Sequence, residues 1–96
     1  MEGGQASIST EILGRYAADA AREIAGVRDV PRRGGVKVAQ ADGHVRIELH
    51  LAVDWGASIP AVARGVQQRV REYLARMADV EPAAVEVVVD EIGPRT

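Results

Sequence analysis

The 96-residue chain has no cysteine, no phenylalanine, one tryptophan, two tyrosines and a single lysine among its twelve basic residues. Each shortage removes a class of function. Without cysteine there can be no disulfides, thiolate zinc sites, iron–sulfur ligation or thiol nucleophiles. No apolar run approaches the roughly 18 to 20 residues that a membrane helix needs. The start, Met1-Glu2-Gly3-Gly4-Gln5, has neither the basic residues nor the apolar stretch of a secretory signal, so a cytoplasmic protein is expected. Arginine supplies eleven of the twelve basic residues, a bias that a GC-rich coding genome would produce and that is assigned no role.

The residues present describe an ordinary soluble chain, 47% apolar and 27% charged with a net charge of −2, which implies one globular domain over residues 1–96. Sixteen Ala and fourteen Val dominate the apolar set. A chain of this length buries very roughly 60 to 65% of its unfolded surface, and here it must do so with small aliphatics. Little surplus stability is left, which makes self-association welcome.

Gln5 to Ile8 reads as a short extended lead-in, followed by Ser9 as the N-cap of a helix from about Thr10 to Ala25. Ile12, Leu13, Tyr16, Ala17, Ala20 and Ile24 form its apolar side, with Glu11, Arg15, Ala18 and Arg22 opposite. Gly26 is placed to end it, and Val27 to Gly35, with Pro31, Gly34 and Gly35, reads as a loop. Val36 to Ala41 alternates weakly, and Asp42-Gly43 then supplies a two-residue hairpin turn. Beyond it Val45, Ile47, Leu49, Leu51 and Val53 alternate with His44, Arg46, Glu48, His50, Ala52 and Asp54, as in a strand with one buried face. Ser58 caps a second helix that has Pro60 in its first turn and runs to about Ala78; its core side is Ile59, Val62, Val66, Val70, Tyr73, Leu74 and Met77. Val85 to Ile92 is a β-branched strand that could pair with the hairpin or with the N-terminal segment. The expected fold is α+β, a two-layer sandwich in β-α-β-β-α-β order with both helices on one face of a small, mainly antiparallel sheet. The other face would show Lys37, Ala39, Ala41, His44, Arg46, Glu48, His50, Glu86, Val88 and Asp90.

Chemistry on that face is thin. His44 and His50 are six apart on one strand, roughly 20 Å, too far to share a metal. Glu48 and His50 are same-face neighbours and read first as a solvated pair, so neither a metal nor any other cofactor is assigned. The only serines are Ser7, Ser9 and Ser58, two of them helix caps, which leaves no nucleophile triad and no catalytic residue to name. Arg28, Arg32, Arg33 and Lys37 concentrate charge in the 28–37 segment beside Gly34 and Gly35 and form the candidate anion site. They match neither phosphate-binding glycine motif, and Gly34-Gly35 leads into a strand, not into a helix N-terminus. RNA or another polyanion held there is the alternative function, but no G-x-x-G loop between helices and no exposed aromatic platform accompanies it, so nucleic acid is disfavoured.

Charge is segregated along the chain. The second helix carries Arg64, Arg69, Arg71 and Arg76 against Glu72, whereas Asp79, Glu81, Glu86, Asp90 and Glu91 follow with no basic residue between them. Such patches can steer self-association or docking on a charged partner. The candidate partner surface is the polar side of the second helix, Arg64, Gln68 and Arg71, with the open sheet face second.

Ile8-Ser9 with Ile24-Ala25-Gly26-Val27, Gly35-Val36-Lys37-Val38, the passage Val53-Asp54-Trp55-Gly56-Ala57-Ser58-Ile59-Pro60 running into Val66-Gln67, and Val85-Glu86-Val87-Val88-Val89 together resemble the alkaline shock protein family. This is the envelope-stress-response family of Gram-positive bacteria, with YloU-like members, and the likeness spans about residues 5 to 92. Trp55 stands where the family usually has Tyr, and Val85-Glu86-Val87 replaces its usual Val-Asn-Val. The resemblance implies a non-enzymatic cytoplasmic protein that forms homo-oligomers, gathers at the inner face of the membrane through a membrane-anchored protein partner, and supports envelope homeostasis.

Overall fold

Helix α1 (Thr10–Arg22) starts where expected in the computed structural model, which describes residues 8–94. The Ser9 hydroxyl accepts a hydrogen bond from the Ile12 N–H at 3.2 Å, and Glu11 lies in the positive first turn. The helix ends earlier than the sequence suggests. Glu23 and Ile24 bond back to the carbonyls of Ala20 and Ala21, which tightens the last turn before Gly26 turns the chain at φ 96°. A side chain at Gly26 would put its Cβ 2.7 Å from Val62, so the exit from α1 is also where the two helices meet.

Strand β1 (Val27–Asp29) then appears inside what the sequence presents as a loop, followed by β2 (Val36–Ala41) and β3 (His44–Val53). Asp42 (φ 54°) and Gly43 (φ 77°) both take the left-handed conformation that a tight hairpin turn demands. Ser58 accepts from the Ala61 N–H at 3.3 Å to cap α2 (Ile59–Ala78), which has the predicted bounds, and β4 (Ala84–Ile92) follows. Among the described residues the order is therefore α-β-β-β-α-β. The expected lead-in strand falls on Gln5 to Ile8, of which 5–7 lie outside the described residues and Ile8 belongs to no strand.

The sheet is built around β3. β1 pairs antiparallel with its last residues, Val53 and Ala52, and β2 antiparallel with Leu49 back to His44. β4 pairs parallel along Arg46 to Val53, on the opposite edge. Two of the three pairings are antiparallel, as expected, and the last strand is the parallel one. β1 and β2 thus occupy one lane, interrupted by an excursion of residues 30–35 that spans only two residues of β3. Gly35 closes the excursion, its carbonyl accepting from the His50 N–H at 2.8 Å.

Both helices cover the same sheet face. Leu13, Ala17, Ala20 and Ala21 of α1 and Val62, Val66, Val70 and Leu74 of α2 bury against Val45, Ile47, Leu49, Leu51 and Val53. Small residues bring the layers close: Ile24 sits against Gly65 of α2, and Tyr16 meets Tyr73 edge to face at 5.8 Å between ring centroids. Ala18, placed by the sequence on the solvent side, is buried because the 30–35 excursion wraps that flank of α1. Ile12, Ile59 and Met77, read as core, lie at the helix ends and are exposed.

A Cβ on Gly35 would sit 2.0 Å from the Pro31 carbonyl oxygen, whereas one on Gly34 would meet nothing within 4 Å although its φ is +75°. Gly35→Ala is expected to cost about 2–4 kcal/mol, as a forced backbone clash, and Gly34→Ala about 1 kcal/mol of left-handed strain. Urea denaturation of the two variants checks the order; a larger loss at Gly34 would overturn it.

Candidate interaction surfaces

The three residues of the helix surface named from sequence are not equivalent in the structure. Arg64 and Gln68 are exposed on successive turns of α2, with Gln68 donating to Glu72 at 3.4 Å. Arg71 is partly engaged inside the chain, donating to the Pro82 carbonyl at 2.9 Å and so holding the segment that leads into β4. Arg69, two residues before Arg71 and so on the other side of the helix, pairs with Glu23 at the end of α1 and approaches Glu72 at 3.7 Å. That bond joins residues 46 apart in sequence and ties α1 to α2.

The four cations of the 28–37 segment do not converge. Arg28 lies on β1 with its guanidinium beside Gly93, Arg32 lines a cleft beside α1, and Arg33 is exposed on the turn. Lys37 points to the opposite sheet face, 4.0 Å from Glu48 and 69% exposed. The cleft encloses about 1040 Å³ between α1 and residues 29–38. Its floor is Gly14, Ala18, Val36 and Val38, and its rim is Glu11, Arg15, Arg22, Asp29 and Arg32. Arg22 secures it, donating to the Val30 carbonyl at 3.0 Å. Arg15 and Arg22 are absent from the sequence-derived site, although their spacing from Glu11 and Ala18 already placed all four on one flank of α1.

On the open sheet face, register sets Lys37 beside Glu48 and Glu48 beside Glu86, one row across three strands. His50 bridges two carboxylates: Nε2 lies 2.5 Å from Glu48 and Nδ1 2.7 Å from Asp90 of β4. The pair that reads as solvated is thus a three-residue clamp. A neutral imidazole has one N–H, so only the protonated ring donates to both oxygens. Hydrogen bonds to Glu48 and then to Asp90 hold the His50 pKa above its ordinary 6.5. Because the imidazole stands between its carboxylates, they do not converge on a common point. Among the described residues no group of three or more His, Asp or Glu is placed to hold a metal.

The profile of alkaline shock protein 23, described as having a cell envelope-related function, matches residues 28–94. The chain belongs to this family. Within the alkaline shock protein 23 match fall β1 from Arg28 on, β2 to β4, α2, the His50 clamp and all seven candidate residues named from sequence. The uncharacterized protein YqhY of Bacillus subtilis (strain 168) is 34% identical over 92 residues, 80% of this chain and 68% of the relative. A solved MamM-CTD structure has the same fold at TM-score 0.62 and 15% identity, covering 90% of this chain and 100% of the other. A nickel form of MamM CTD gives 0.61 at 14% identity over 88% of this chain and 100% of the other. At that distance the likeness concerns the fold of the alkaline shock chain and not its ligands. No helix among its described residues is long and apolar enough to cross a membrane.

The clamp predicts a pH dependence. His50 gains its partners on folding and its native pKa is raised, so its contribution to stability is full below about 6.5 and fades as pH rises through the native value. Lys37 beside Glu48, and Asp29 and Glu91 in the recess shared with His50 and Asp90, complete the surrounding charges. Melting temperatures between pH 6 and 9 should fall in the wild type and fall less in His50→Gln. Equal slopes would contradict the clamp.

Proposed function

We propose that this chain is a non-enzymatic interaction module that self-associates and docks on a membrane-anchored protein at the inner face of the cell membrane, in support of envelope homeostasis. The observation that carries the reading is membership of a family with a cell envelope-related function across residues 28–94. The geometry supports it in kind. Charged side chains lie on an open sheet face, an exposed helix and the rim of an open cleft, surfaces suited to macromolecular contact. In this reading the whole chain, 1–96, acts as one unit.

Arg64 and Gln68 are the docking residues best suited to test, because Arg71 also holds the Pro82 carbonyl and its loss would confuse binding with folding. Capture of the tagged chain from its native cell, with and without membranes, should recover a membrane protein. Arg64→Glu with Gln68→Glu is expected to reduce that recovery at least about tenfold, the effect of replacing attraction by repulsion at a charged interface, and to leave the melting temperature within about 2 °C, as for surface substitutions. Undiminished recovery would exclude this helix face, and recovery of RNA alone would favour the polyanion alternative.

A further inference from the structure

Two strand edges stand open among the described residues, and they carry opposite charge. β3 is paired on both sides, but β4 is paired only with β3, and β2 only with β3. An unpaired edge is a template for another strand unless charge, proline or a bulge blunts it. β4, AVEVVVDEI, has no proline between Ala84 and Ile92, and its register shift falls at Asp90, beyond the regularly paired stretch Ala84 to Val89. Its charged residues are Glu86, Asp90 and Glu91, all acidic. On the other side β2 (VKVAQA) carries one charged residue, Lys37, since Arg28 reaches across to Gly93 and Arg32 faces the cleft beside α1. The β4 edge is acidic, and the charge that β2 offers on the other edge is the exposed Lys37.

We propose that the β4 edge of one chain pairs with the β2 edge of a second copy, joining chains edge to edge in a continued sheet. The inference rests on the self-association reading and names its surface. Three features favour this join over its rivals. A two-fold join of β4 with β4 would bring Glu86, Asp90 and Glu91 of both copies together, and β2 with β2 would bring Lys37 against Lys37, whereas the unlike join sets acid against base. Direction also fits: β4 is parallel and β2 antiparallel to β3, so a copy related by simple translation presents β4 antiparallel to β2 with its helices on the same sheet face. Side chains fit as well. A register setting Lys37 opposite Glu86 places Ala39 opposite Ala84, and both charged side chains are exposed. Such a join uses different patches on the two partners, so it does not close at two copies.

Sedimentation of the full chain over a range of concentration and salt tests the proposal with two charge reversals. Wild-type average mass should rise with concentration, pass beyond a dimer and fall with added salt. Lys37→Glu alone and Glu86→Lys alone should each move the half-assembly concentration up about tenfold, the swing from an attractive to a repulsive cross-strand pair. Mixed in equal amounts, the two variants should associate like wild type, because each supplies the edge the other lacks. Mixing matters, since Lys37 and Glu86 share a row with Glu48 and a double variant could compensate within one chain. Far-ultraviolet circular dichroism keeps any unfolded variant from being scored as dissociated, and Lys37→Gln with Glu86→Gln gives a milder pair for the same mixing experiment. A mass that plateaus at two copies overturns the unlike join. Association untouched by either reversal and by mixing also overturns it, while leaving the self-association reading in place. A monomer at every concentration and salt sinks both.

Discussion

Strand β3 is hydrogen-bonded along both edges, to β4 on one side and to β1 and β2 on the other, while Ile47, Leu49, Leu51 and Val53 bury completely beneath the helices. Every other strand pairs with β3 and with nothing else among the described residues. The two helices share one apolar surface and that strand supplies its centre. Truncating Leu49 or Leu51 to Ala would remove contacts from both layers at once, a loss of about 2–5 kcal/mol where no neighbour can collapse into the gap. In a core built mainly from Ala and Val there is little to spare. The close approach of Val62 to Gly26 and of Ile24 to Gly65 follows from the same constraint, since small side chains bury enough only when the layers come near.

A single central strand also determines what remains outside. With both helices on one face, the other face stays open and is laced by charge, Lys37–Glu48 and Glu48–His50–Asp90, which ties β4 to β3 through side chains as well as backbone. With three lanes, two edges are left unpaired among the described residues, one bearing Glu86, Asp90 and Glu91 and the other Lys37. The net charge of −2 conceals this arrangement. An interaction module needs surfaces that distinguish one partner from another, and opposed edges with an exposed helix between them provide that distinction.

Much of this was legible in the residues. Ser58 and Pro60 announce α2, Asp42-Gly43 announces the hairpin, and the alternation from His44 to Val53 announces the strand on which the fold depends. Those signals are local, set by capping, turn conformation and period-two burial. β1 could not be read, because three residues embedded among Arg, Pro and Gly carry no measurable period and pair only because β3 extends past them. The burial of Ala18 depends on an excursion that folds back over α1. The His50–Asp90 contact spans 40 residues, and it exists only because β4 runs parallel to β3, a pairing that the sequence left open. Of the candidate residues, exposure at Arg64 and Gln68 followed from helical spacing, whereas the Arg71 bond to Pro82 and the scattering of Arg28, Arg32 and Lys37 over different parts of the surface are tertiary facts.

Native-state hydrogen exchange tests the central role of β3 most directly. Amides of Ile47, Leu49 and Leu51 should exchange only through global unfolding, with a free energy equal to that from denaturant melting, while those of Arg32, Arg33 and Gly34 exchange far sooner. If the β3 amides opened at a lower free energy than those of α2, the helices would stand without the strand, and the dependence of the fold on β3 would be contradicted.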